Sequence, residues 1–536
     1  MVIAYRELRL LELEVIEALW GHQLSGHLNV DTLILCNVDQ FHGIEIDESA
    51  AQIATVALWL TDHQMNLKVQ RFGLYYNRIP LIKKANIVCA NALQIDWADV
   101  ITPEKCSYIM GNPPFIGKKE QSRLQKADMD LLVSTIKGAG VLDYVTAWYI
   151  KATAYIKNNP TVPVAFVSTN SICQGEQVGI LWSYLLARGV KIHFAHRTFR
   201  WSNEGKGVAA VHCVIIGFGL NEPSVYRLFD YGDDIKGVPI EVTAKQINPY
   251  LVDAPIVLLK KSNHPLSSVP AMNYGSMPID NGHLIFSDEE KNELLRESIG
   301  NQKFIFKYMG GEEFINDKSR WCLWLENVEP AEIKDSQLIM SRVKQVKDFR
   351  NTSDREMTRK LANYPTLFGE RRQPNGDYLL LPKVSSENRP YMPIGFITSS
   401  VIANGSALIV PNATKYHLGV LQSHMQNAWM RTVCGRMKSD YQYSASIVYN
   451  NFPWPKPTAE QIKAIEEKAQ AVLDVRAKHG TSTLADLYNP LTMPPDLTKA
   501  HAALDKAVDA AYGYKGKPTD AERVAFLFKL YQALAD

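Results

Sequence analysis

A chain of 536 residues is too long for one hydrophobic core and is expected to form about three domains. Hydrophobic residues make up 46% and charged residues 21%, as in soluble globular proteins, and a net charge of only +2 confines any nucleic-acid surface to a local patch. The seven cysteines are scattered and include no C-x-x-C pair, which argues against a disulfide framework and a metal site and favours the cytoplasm. No apolar run approaches the ~18 residues of a membrane span, which argues against a membrane protein.

Residues 1–220 alternate between helical and strand-like segments. Leucines and a valine recur at helical spacing in the first 19 residues, and a second helical segment lies at 143–156. Strands are predicted from short apolar runs at 33–38, 41–46, 85–93, 106–110, 162–168, 190–196 and 211–218. Such alternation predicts an α/β fold with a mostly parallel sheet that is covered on both faces.

Asp47 directly follows the predicted strand 41–46 and is a suitable residue to cap a helix. The helix after it is expected to bury one stripe of its surface. The predicted stripe consists of Ile53, Val56, Ala57 and Leu60.

The character of the sequence changes at about residue 221. Apolar runs become shorter, prolines and glycines are frequent, and Asn-Gly turn signals recur up to residue 455, which predicts an α+β domain with many strands. The proline-rich "NNFPWPKP" (450–457) marks a boundary, and long helical segments follow it. We therefore divide the chain into domains at 1–220, 221–455 and 456–536.

The stretch "GNPPF" (111–115) follows the predicted strand 106–110. Ligands of doubly wound sheets bind beyond the carboxyl ends of strands, so Asn112 is expected in the active crevice. Pro113 and Pro114 stiffen the segment, because each has a fixed φ and no N–H. The side-chain oxygen of Asn112 and the carbonyl oxygen of Pro113 then form two converging acceptors for an amino group on a flat ring, against which Phe115 could stack. An ordinary loop turn is the alternative for an isolated N-P-P.

Two other strand ends carry polar residues with a possible binding role. Glu45, followed by Ile46, ends the strand 41–46, where a carboxylate can bind a pair of ribose hydroxyls. A solvated loop carboxylate is the alternative for Glu45. Asn91 follows the next strand and could bond an adenine edge, although a plain turn fits equally well.

These motifs together resemble those of the DNA adenine methyltransferases that use S-adenosylmethionine. "GNPPF" matches their catalytic [DNS]-P-P-[YFW] motif, "GIEID" (43–47) the acidic ribose motif and "ANAL" (90–93) the weaker adenine motif. More narrowly, the chain is similar to the MmeI-like type IIL restriction–modification enzymes in the segments at 196–218, 320–325, 369–374 and 449–455. The resemblance covers the whole chain.

The resemblance implies a target site for an adenine that is flipped out of duplex DNA. Asn112 and Pro113 would hold its N6 amine, and Phe115 would stack on the base. Phe199 matches the family's second aromatic and would cover the other face, although Trp201 is near enough in the sequence to compete for that role. Base flipping is expected because the amine is inaccessible within the base stack.

The resemblance also implies a Rossmann-like methyltransferase sheet, an α+β target-recognition domain and a helical C-terminal domain. Glu45 and Ile46 would bind the ribose of the cofactor S-adenosylmethionine, and Asn91 its adenine. One departure concerns the family's glycine-rich cofactor loop, D-P-A-C-G-x-G-x-F, which no segment of the first 45 residues matches. We therefore expect this chain to lack the first strand, that loop and the N-terminal nuclease domain, and to bind the cofactor weakly unless a separate polypeptide supplies them.

Candidate DNA contacts lie in two basic segments of the middle domain. The segment 341–350 contains Arg342 and Lys344, together with Lys347 and Arg350, and 431–444 contains Arg436, Lys438 and Tyr441. Basic residues interleaved with aromatics suit contacts to phosphates and bases. A solvated charged face is the alternative for each cluster.

Two classes of function follow from these patterns. The leading hypothesis is an enzyme, the C-terminal portion of an adenine-N6 DNA methyltransferase within a restriction–modification system that acts on double-stranded DNA. The alternative is a non-catalytic DNA-binding or specificity remnant whose cofactor site is incomplete.

Overall fold

The computed structural model describes residues 1–20, 33–69, 84–201, 211–232 and 234–535. The chain divides into two compact units. The first comprises Met1–Phe166, Tyr184–Lys191 and Gly217–Glu222, and the second comprises Val167–Ser183, Ile192–Ile216 and Pro223–Asp536.

The N-terminal part of the chain alternates helices and strands, as predicted. Its helices are α1 (Val2–Trp20), α2 (Glu48–Val69), α3 (Arg123–Val133), α4 (Thr146–Ile156) and α5 (Glu176–Leu186). Its strands are β1 (His42–Glu45), β2 (Asn86–Cys89), β3 (Ile109–Gly111), β4 (Val164–Thr169), β5 (Lys191–Trp201), β6 (Val211–Gly219), β7 (Tyr226–Asp230) and β8 (Ile240–Ala244).

These strands form two separate sheets. β1 and β2 pair in parallel, with Glu45 opposite Cys89. The other sheet has the order β3-β4-β6-β5-β7-β8, with β3 parallel to β4, β5 parallel to β7, and β8 antiparallel at its edge. Within the described ranges, no strand pairs with β1 on the side away from β2, or with β3 on the side away from β4.

The strand predicted at 33–38 is wrong. Side chains of α1 bind the backbone of this segment in place of a neighbouring strand. Glu12 accepts hydrogen bonds from the N–H groups of Leu35 (2.6 Å) and Cys36 (2.8 Å), and Arg9 donates to the carbonyl oxygen of Cys36 (2.9 Å). The segment therefore follows α1 and enters a short 3₁₀ turn at Val38–Gln40.

The buried stripe predicted for α2 is also wrong. The exposed residues of this helix include Ile53, Val56 and Leu60. Its buried face instead contains Asp62 and Asn66, which are paired with residues of α1. Tyr5 donates to the Asp62 carboxylate, and Arg9 donates to the Asn66 oxygen at 3.0 Å. The hydrophobic spacing predicts the wrong buried face of α2, because the face that is buried contains polar side chains that are paired with α1.

The middle part of the chain mixes short strands with helices, which agrees with the predicted α+β domain. Its helices are α6 (Asp288–Glu297), α7 (Gly311–Asn316), α8 (Pro330–Ile333), α9 (Gln337–Asn351), α10 (Glu356–Leu361), α11 (Lys415–Gln422) and α12 (His424–Val433). Its strands are β9 (Asn273–Tyr274), β10 (Ile285–Phe286), β11 (Ile305–Met309), β12 (Trp321–Leu323), β13 (Tyr378–Pro382), β14 (Val384–Ser385), β15 (Gly395–Ile397), β16 (Val401–Ala403), β17 (Ala407–Pro411), β18 (Gly435–Met437) and β19 (Asp440–Gln442).

Three sheets organise this part. Their strand orders are β10-β12-β11-β16, β15-β13-β17-β9 and β14-β19-β18. The central strand β13 is buried along its whole length, in accord with its continuous apolar run.

The C-terminal part is helical, as predicted. Its helices are α13 (Ala459–Lys478), α14 (Leu484–Leu487), α15 (Pro495–Tyr512) and α16 (Asp520–Ala535). Helix α13 starts with a capping box at Thr458, and α15 ends at Gly513 with φ of +63°.

Candidate functional site

The loop after β1 is shaped by two carboxylates. One oxygen of Glu45 accepts hydrogen bonds from the backbone N–H groups of Ile46 (2.9 Å) and Asp47 (3.2 Å). Asp47 in turn accepts a bond from the N–H of Ala50 (2.9 Å), so it caps α2 as predicted. The Ile46 side chain is exposed. Glu45 therefore stands at a fixed strand end with its second carboxylate oxygen available.

The loop after β2 lies beside the end of β1, because the N–H of Ala90 donates to the carbonyl oxygen of Glu45 at 2.8 Å. Asn91 uses both ends of its amide inside the protein. Its Nδ2 donates to Asp128 at 3.0 Å, and its Oδ1 accepts from the N–H of Leu93 at 2.9 Å. These bonds make Asn91 a shaping residue of the loop, and its predicted contact with a cofactor adenine stays a prediction.

Asp128 gathers hydrogen bonds from the surrounding loops and is almost fully buried, at 3% exposure. In addition to Asn91, Gln94 donates to it at 2.8 Å and the Tyr144 hydroxyl at 2.7 Å. Burial alone would raise the pKa of the Asp128 carboxyl, but the bonds from Gln94, Tyr144 and Asn91 outweigh it and hold this pKa below its ordinary value. Asp128 is therefore a buried anion that is compensated by neutral donors.

The catalytic candidates follow β3 as predicted. Asn112 and Pro114 are exposed, Pro113 is buried and Phe115 is half-buried. Within the described chain, neither the Asn112 amide nor the Pro113 carbonyl forms an intramolecular hydrogen bond. The two acceptors proposed to grip an amine are thus available to a ligand.

Gly111 of β3 lies close to Phe166 of β4. A Cβ at this position would lie 3.2 Å from two ring atoms of Phe166. A side chain at this position would therefore press on the Phe166 ring.

Phe199 belongs to the second compact unit and forms part of an aromatic cluster there. Its ring stacks on Tyr231 with centroids 5.4 Å apart, and the Trp201 ring lies at 6.2 Å. The assignment of Phe199 or Trp201 to the second face of a flipped base stays a prediction.

Arg342 and Lys344 are placed differently on helix α9. Arg342 donates to the carbonyl oxygen of His283 at 2.9 Å and to Glu290 at 2.6 Å, and its side chain is 19% exposed. Lys344 is exposed. Of the two predicted DNA contacts, Lys344 is therefore accessible without breaking internal bonds.

Arg350 is wrongly grouped with the surface cluster, because the structure buries it completely. Its guanidinium donates five hydrogen bonds, all to backbone carbonyl oxygens. The acceptors are Pro278 (2.7 Å), Ile279 (2.9 Å), Leu361 (3.1 Å), Tyr364 (2.9 Å) and Leu367 (2.8 Å). Arg350 ties two loops to α9 and cannot contact DNA from this position.

Arg436 and Tyr441 lie on the hairpin of β18 and β19, where both are largely covered. Arg436 donates to Glu387 (3.2 Å) and to Gln174 (3.1 Å), and its guanidinium lies 4.3 Å from the centre of the Tyr441 ring. Lys438 is exposed at the tip of the hairpin, with φ of +57°. Contacts of these three residues with DNA stay predictions.

Gly175, in the loop before α5, packs closely against the base of this hairpin. Gly175 has φ of +73°, and a Cβ on it would lie 3.1 Å from the Cα of Gly435. The N–H of Gly175 also donates to the carbonyl oxygen of Val433 at 3.0 Å. The loop before α5 and the hairpin therefore meet backbone to backbone.

Asp128 and Tyr144 were not singled out by the sequence. The residues that donate to Asp128 lie 16 to 37 positions away from it along the chain, and no local sequence motif marks this group.

None of the helices in the described ranges has the length and apolar character of a membrane span.

Comparison with known proteins gives the family. The domain models of MmeI match in order: its DNA-methyltransferase domain at residues 1–230, its target recognition domain at 253–456 and its C-terminal domain at 457–536. The structure of the type IIL restriction–modification enzyme MmeI in complex with DNA matches 100% of this chain and 71% of that chain, with 51% identity and a TM-score of 0.86. The chain belongs to the MmeI family.

A curated relative agrees with this assignment. DNA methyltransferase A of Bacillus subtilis (strain 168) is 37% identical over 540 residues, which is 100% of this chain and 60% of the relative. The MmeI-family chain thus spans about 60% of that relative's length. The predicted resemblance and the predicted architecture, an α/β methyltransferase domain followed by a target-recognition domain and a helical C-terminal region, are confirmed.

Proposed function

We propose that this chain is the methyltransferase and target-recognition portion of an enzyme that transfers a methyl group from S-adenosylmethionine to the N6 amine of an adenine in a specific DNA sequence. The observation that carries the proposal is the pair of unbonded acceptors on Asn112 and Pro113 at the end of β3. Membership of a restriction–modification family with a target recognition domain supports double-stranded DNA as the substrate.

The chemistry follows from those two acceptors. The lone pair of an exocyclic amine is delocalised into its ring, so the amine is a poor nucleophile. The Asn112 oxygen and the Pro113 carbonyl oxygen would accept hydrogen bonds from both amine hydrogens and favour a pyramidal nitrogen, an interaction that strengthens as the transition state forms. Phe115 would stack on the base once it is flipped out of the duplex, since the amine is out of reach inside it.

The residues present fit one half of the cofactor. Glu45 is held by backbone N–H groups through one carboxylate oxygen, which leaves the other for a ribose hydroxyl pair. The exposed Ile46 lies next to it, and the loop at Asn91 is bonded to the end of β1. When bound, the cofactor supplies an electrophilic methyl group.

We further propose that a strand from outside the described residues completes the sheet between β1 and β3. The order of doubly wound nucleotide-binding sheets is 3-2-1-4-5-6, in which the first strand is central. The pairs β2-β1 and β3-β4 match the 3-2 and 4-5 parts of that order. The exposed apolar side chains of Tyr108 (72%) and Met110 (57%) at β3 also support an additional neighbour. Such a strand would bring a glycine-rich loop to the methionine half of the cofactor.

The test is a methyl-transfer assay on genomic DNA from a strain without adenine methylation, with N6-methyladenine measured by mass spectrometry. The chain is assayed alone and with a polypeptide carrying the part of the Bacillus subtilis relative that lies outside the aligned 540 residues. N6-methyladenine is expected in the mixture. Methylation of another base would contradict the adenine assignment, and DNA binding without methylation in either sample would favour the non-catalytic alternative.

Two variants assign the role of the motif. Asn112→Ala is expected to abolish methylation and leave DNA binding unchanged, because it removes one amine acceptor and no internal bond. Asn316→Ala, at an exposed asparagine on α7, is the matched control and should retain both activities. Methylation by Asn112→Ala at the unmodified rate would overturn the role of Asn112.

Calorimetry tests the completing strand separately. The chain alone is expected to bind S-adenosylmethionine only weakly, because the described loops offer contacts to its ribose and adenine without a glycine-rich loop for the methionine end. Micromolar binding by the chain alone would contradict that proposal.

A further inference from the structure

Asp128 connects the loop after β2 with the segment that leads into α4. Asn91 and Gln94 lie on the loop after β2, whereas Tyr144 lies on the segment that leads into α4. Asn91 and Tyr144 both donate to Oδ2 of Asp128, and Gln94 donates to Oδ1. All three donors thus converge on one buried carboxylate.

The segment that contains Tyr144 is bonded directly to the residues after "GNPPF". The N–H of Tyr144 donates to the carbonyl oxygen of Ile116 at 2.9 Å. The neighbouring Asp143 accepts a bond from the N–H of Lys118 at 3.0 Å. A short path of hydrogen bonds therefore runs from residues 116–118 through Tyr144 and Asp128 to the loop after β2.

A half-buried lysine also holds this loop. Lys151 on α4 donates to the carbonyl oxygens of Leu93 (3.0 Å) and Ile95. The loop 91–95 therefore turns its polar side chains toward the Asp128 carboxylate and its carbonyls toward the Lys151 ammonium. Held by two opposite charges, this loop has a defined conformation before any ligand binds.

We propose that Asp128 is a positioning residue, which fixes the loop after β2 relative to the segment that follows the amine-binding motif. The assignment of these two segments to the cofactor site and the target site rests on the proposed function. The coupling between the segments rests on the hydrogen bonds described above. A displacement of about 1 Å between reacting groups can cost about a hundredfold in rate. A residue that keeps the two loops in register therefore affects the rate constant more than the binding of either ligand.

The carboxylate is well suited to this role because it only accepts hydrogen bonds. An amide at the same place would turn an NH₂ group toward one of the three donors. Asp128→Asn is therefore expected to break the bond to Gln94 or the bonds at Oδ2. Adding Gln94→Glu to Asp128→Asn should restore the network, because the new amide can then donate to the new carboxylate while its oxygen still accepts from Asn91 and Tyr144.

The experiment measures hydrogen–deuterium exchange by mass spectrometry on the full chain without cofactor or DNA. In Asp128→Asn, amide exchange is expected to speed up about tenfold or more both at 91–95 and at 116–118. The double variant with Gln94→Glu should return both segments toward the original rates. Asp130→Asn, at an exposed position on the same helix, is the control and should change neither segment.

The same measurement on Tyr144→Phe tests the bond between Tyr144 and Asp128 by itself. This variant removes only the hydroxyl that donates to Asp128 and keeps the N–H that donates to Ile116. Exchange is again expected to rise in both segments. Faster exchange confined to 91–95 in both variants, or no recovery in the double variant, would overturn the inference. These outcomes are independent of methyl transfer, so a failure of the proposed function would leave them unchanged.

A second readout applies in the mixture that methylates DNA. Asp128→Asn should lower kcat about 10–100-fold and change the KM for DNA less than twofold, with recovery by Gln94→Glu. A rise in the KM for DNA at unchanged kcat would also overturn the positioning role.

Discussion

Arg350→Met should strongly destabilise the region that matches the target recognition domain, residues 253–456, although Arg350 lies in a segment with the composition of a basic surface. The guanidinium is 0% exposed and donates to five backbone carbonyl oxygens between residues 278 and 367. In the part of the chain that the structure describes, it has no carboxylate in an ion pair. Methionine fills a similar volume and offers no donor, so the substitution leaves these carbonyls without their partner.

The magnitude follows from the number of bonds. A hydrogen bond from a charged donor contributes about 1.5–3 kcal/mol, so five give roughly 8–15 kcal/mol before the cost of burying the ion. That cost is several kcal/mol, so we take a net loss of about 3–5 kcal/mol when the five carbonyls lose their donor. For a domain of 150–250 residues, each kcal/mol lowers the melting temperature by about 2–4 °C, which predicts a fall of roughly 6–20 °C.

Differential scanning calorimetry of the full chain measures this change. Lys347→Met is the matched control, because Lys347 is exposed on the same helix, and its melting temperature should shift by about 2 °C or less. A melting temperature of Arg350→Met within 2 °C of the unmodified chain would refute the reasoning, since it would mean that the five carbonyls need no donor.

Three other substitutions have expected outcomes. Gly111→Ala places a Cβ 3.2 Å from the Phe166 ring and should reduce methyl transfer by displacing the motif, whereas DNA affinity measured by fluorescence anisotropy stays the same. Lys344→Gln should weaken DNA binding equally on all sequences and reduce the slope of log affinity against log salt by about 1, and an unchanged slope would exclude a phosphate contact. Burial would raise the pKa of Asp520, but bonds from His424 and an arginine outweigh it and hold this pKa well below its ordinary value. Because a lowered folded-state pKa stabilises above the unfolded pKa of about 4, Asp520→Asn should lower the melting temperature at pH 7, with a deficit that shrinks as the pH falls below 4. A deficit that is independent of pH would contradict this.

The sequence predicts the elements that local patterns determine. β1 and β2 lie within predicted strands, and β3 overlaps the predicted strand 106–110. Glu45, Asn91 and Asn112 stand at or just after the carboxyl ends of these strands. These predictions succeed because strand propensity, turn residues and the carboxyl-end rule act over a few residues.

The failures involve partners that are distant in sequence. The buried face of α2 contains Asp62 and Asn66, which become acceptable in a core only because Tyr5 and Arg9 lie opposite, 57 residues earlier. The burial of Arg350 depends on carbonyls up to 72 residues away. Charge and hydrophobicity along the chain carry no information about such pairing.

The candidate site shows the same division. Its motif residues are visible in the sequence, whereas Asp128, which connects two of its loops, lies 37 residues from Asn91. Asp128 can be identified as part of the site only from the structure, in which α3 packs beside the loop after β2.

The close contact of Gly175 with Gly435 restricts which positions near this hairpin can accept a larger side chain. A larger residue at position 175 would be strained, because Gly175 has φ of +73° and a Cβ on it would lie 3.1 Å from the Cα of Gly435. A Cβ on Gly435 would lie 3.9 Å from the Cα of Gly175, which is an ordinary contact. At the tip, Lys438 is exposed and its side chain can be exchanged without moving the strands. Substitutions are therefore expected to be tolerated at the exposed tip and to be costly at Gly175.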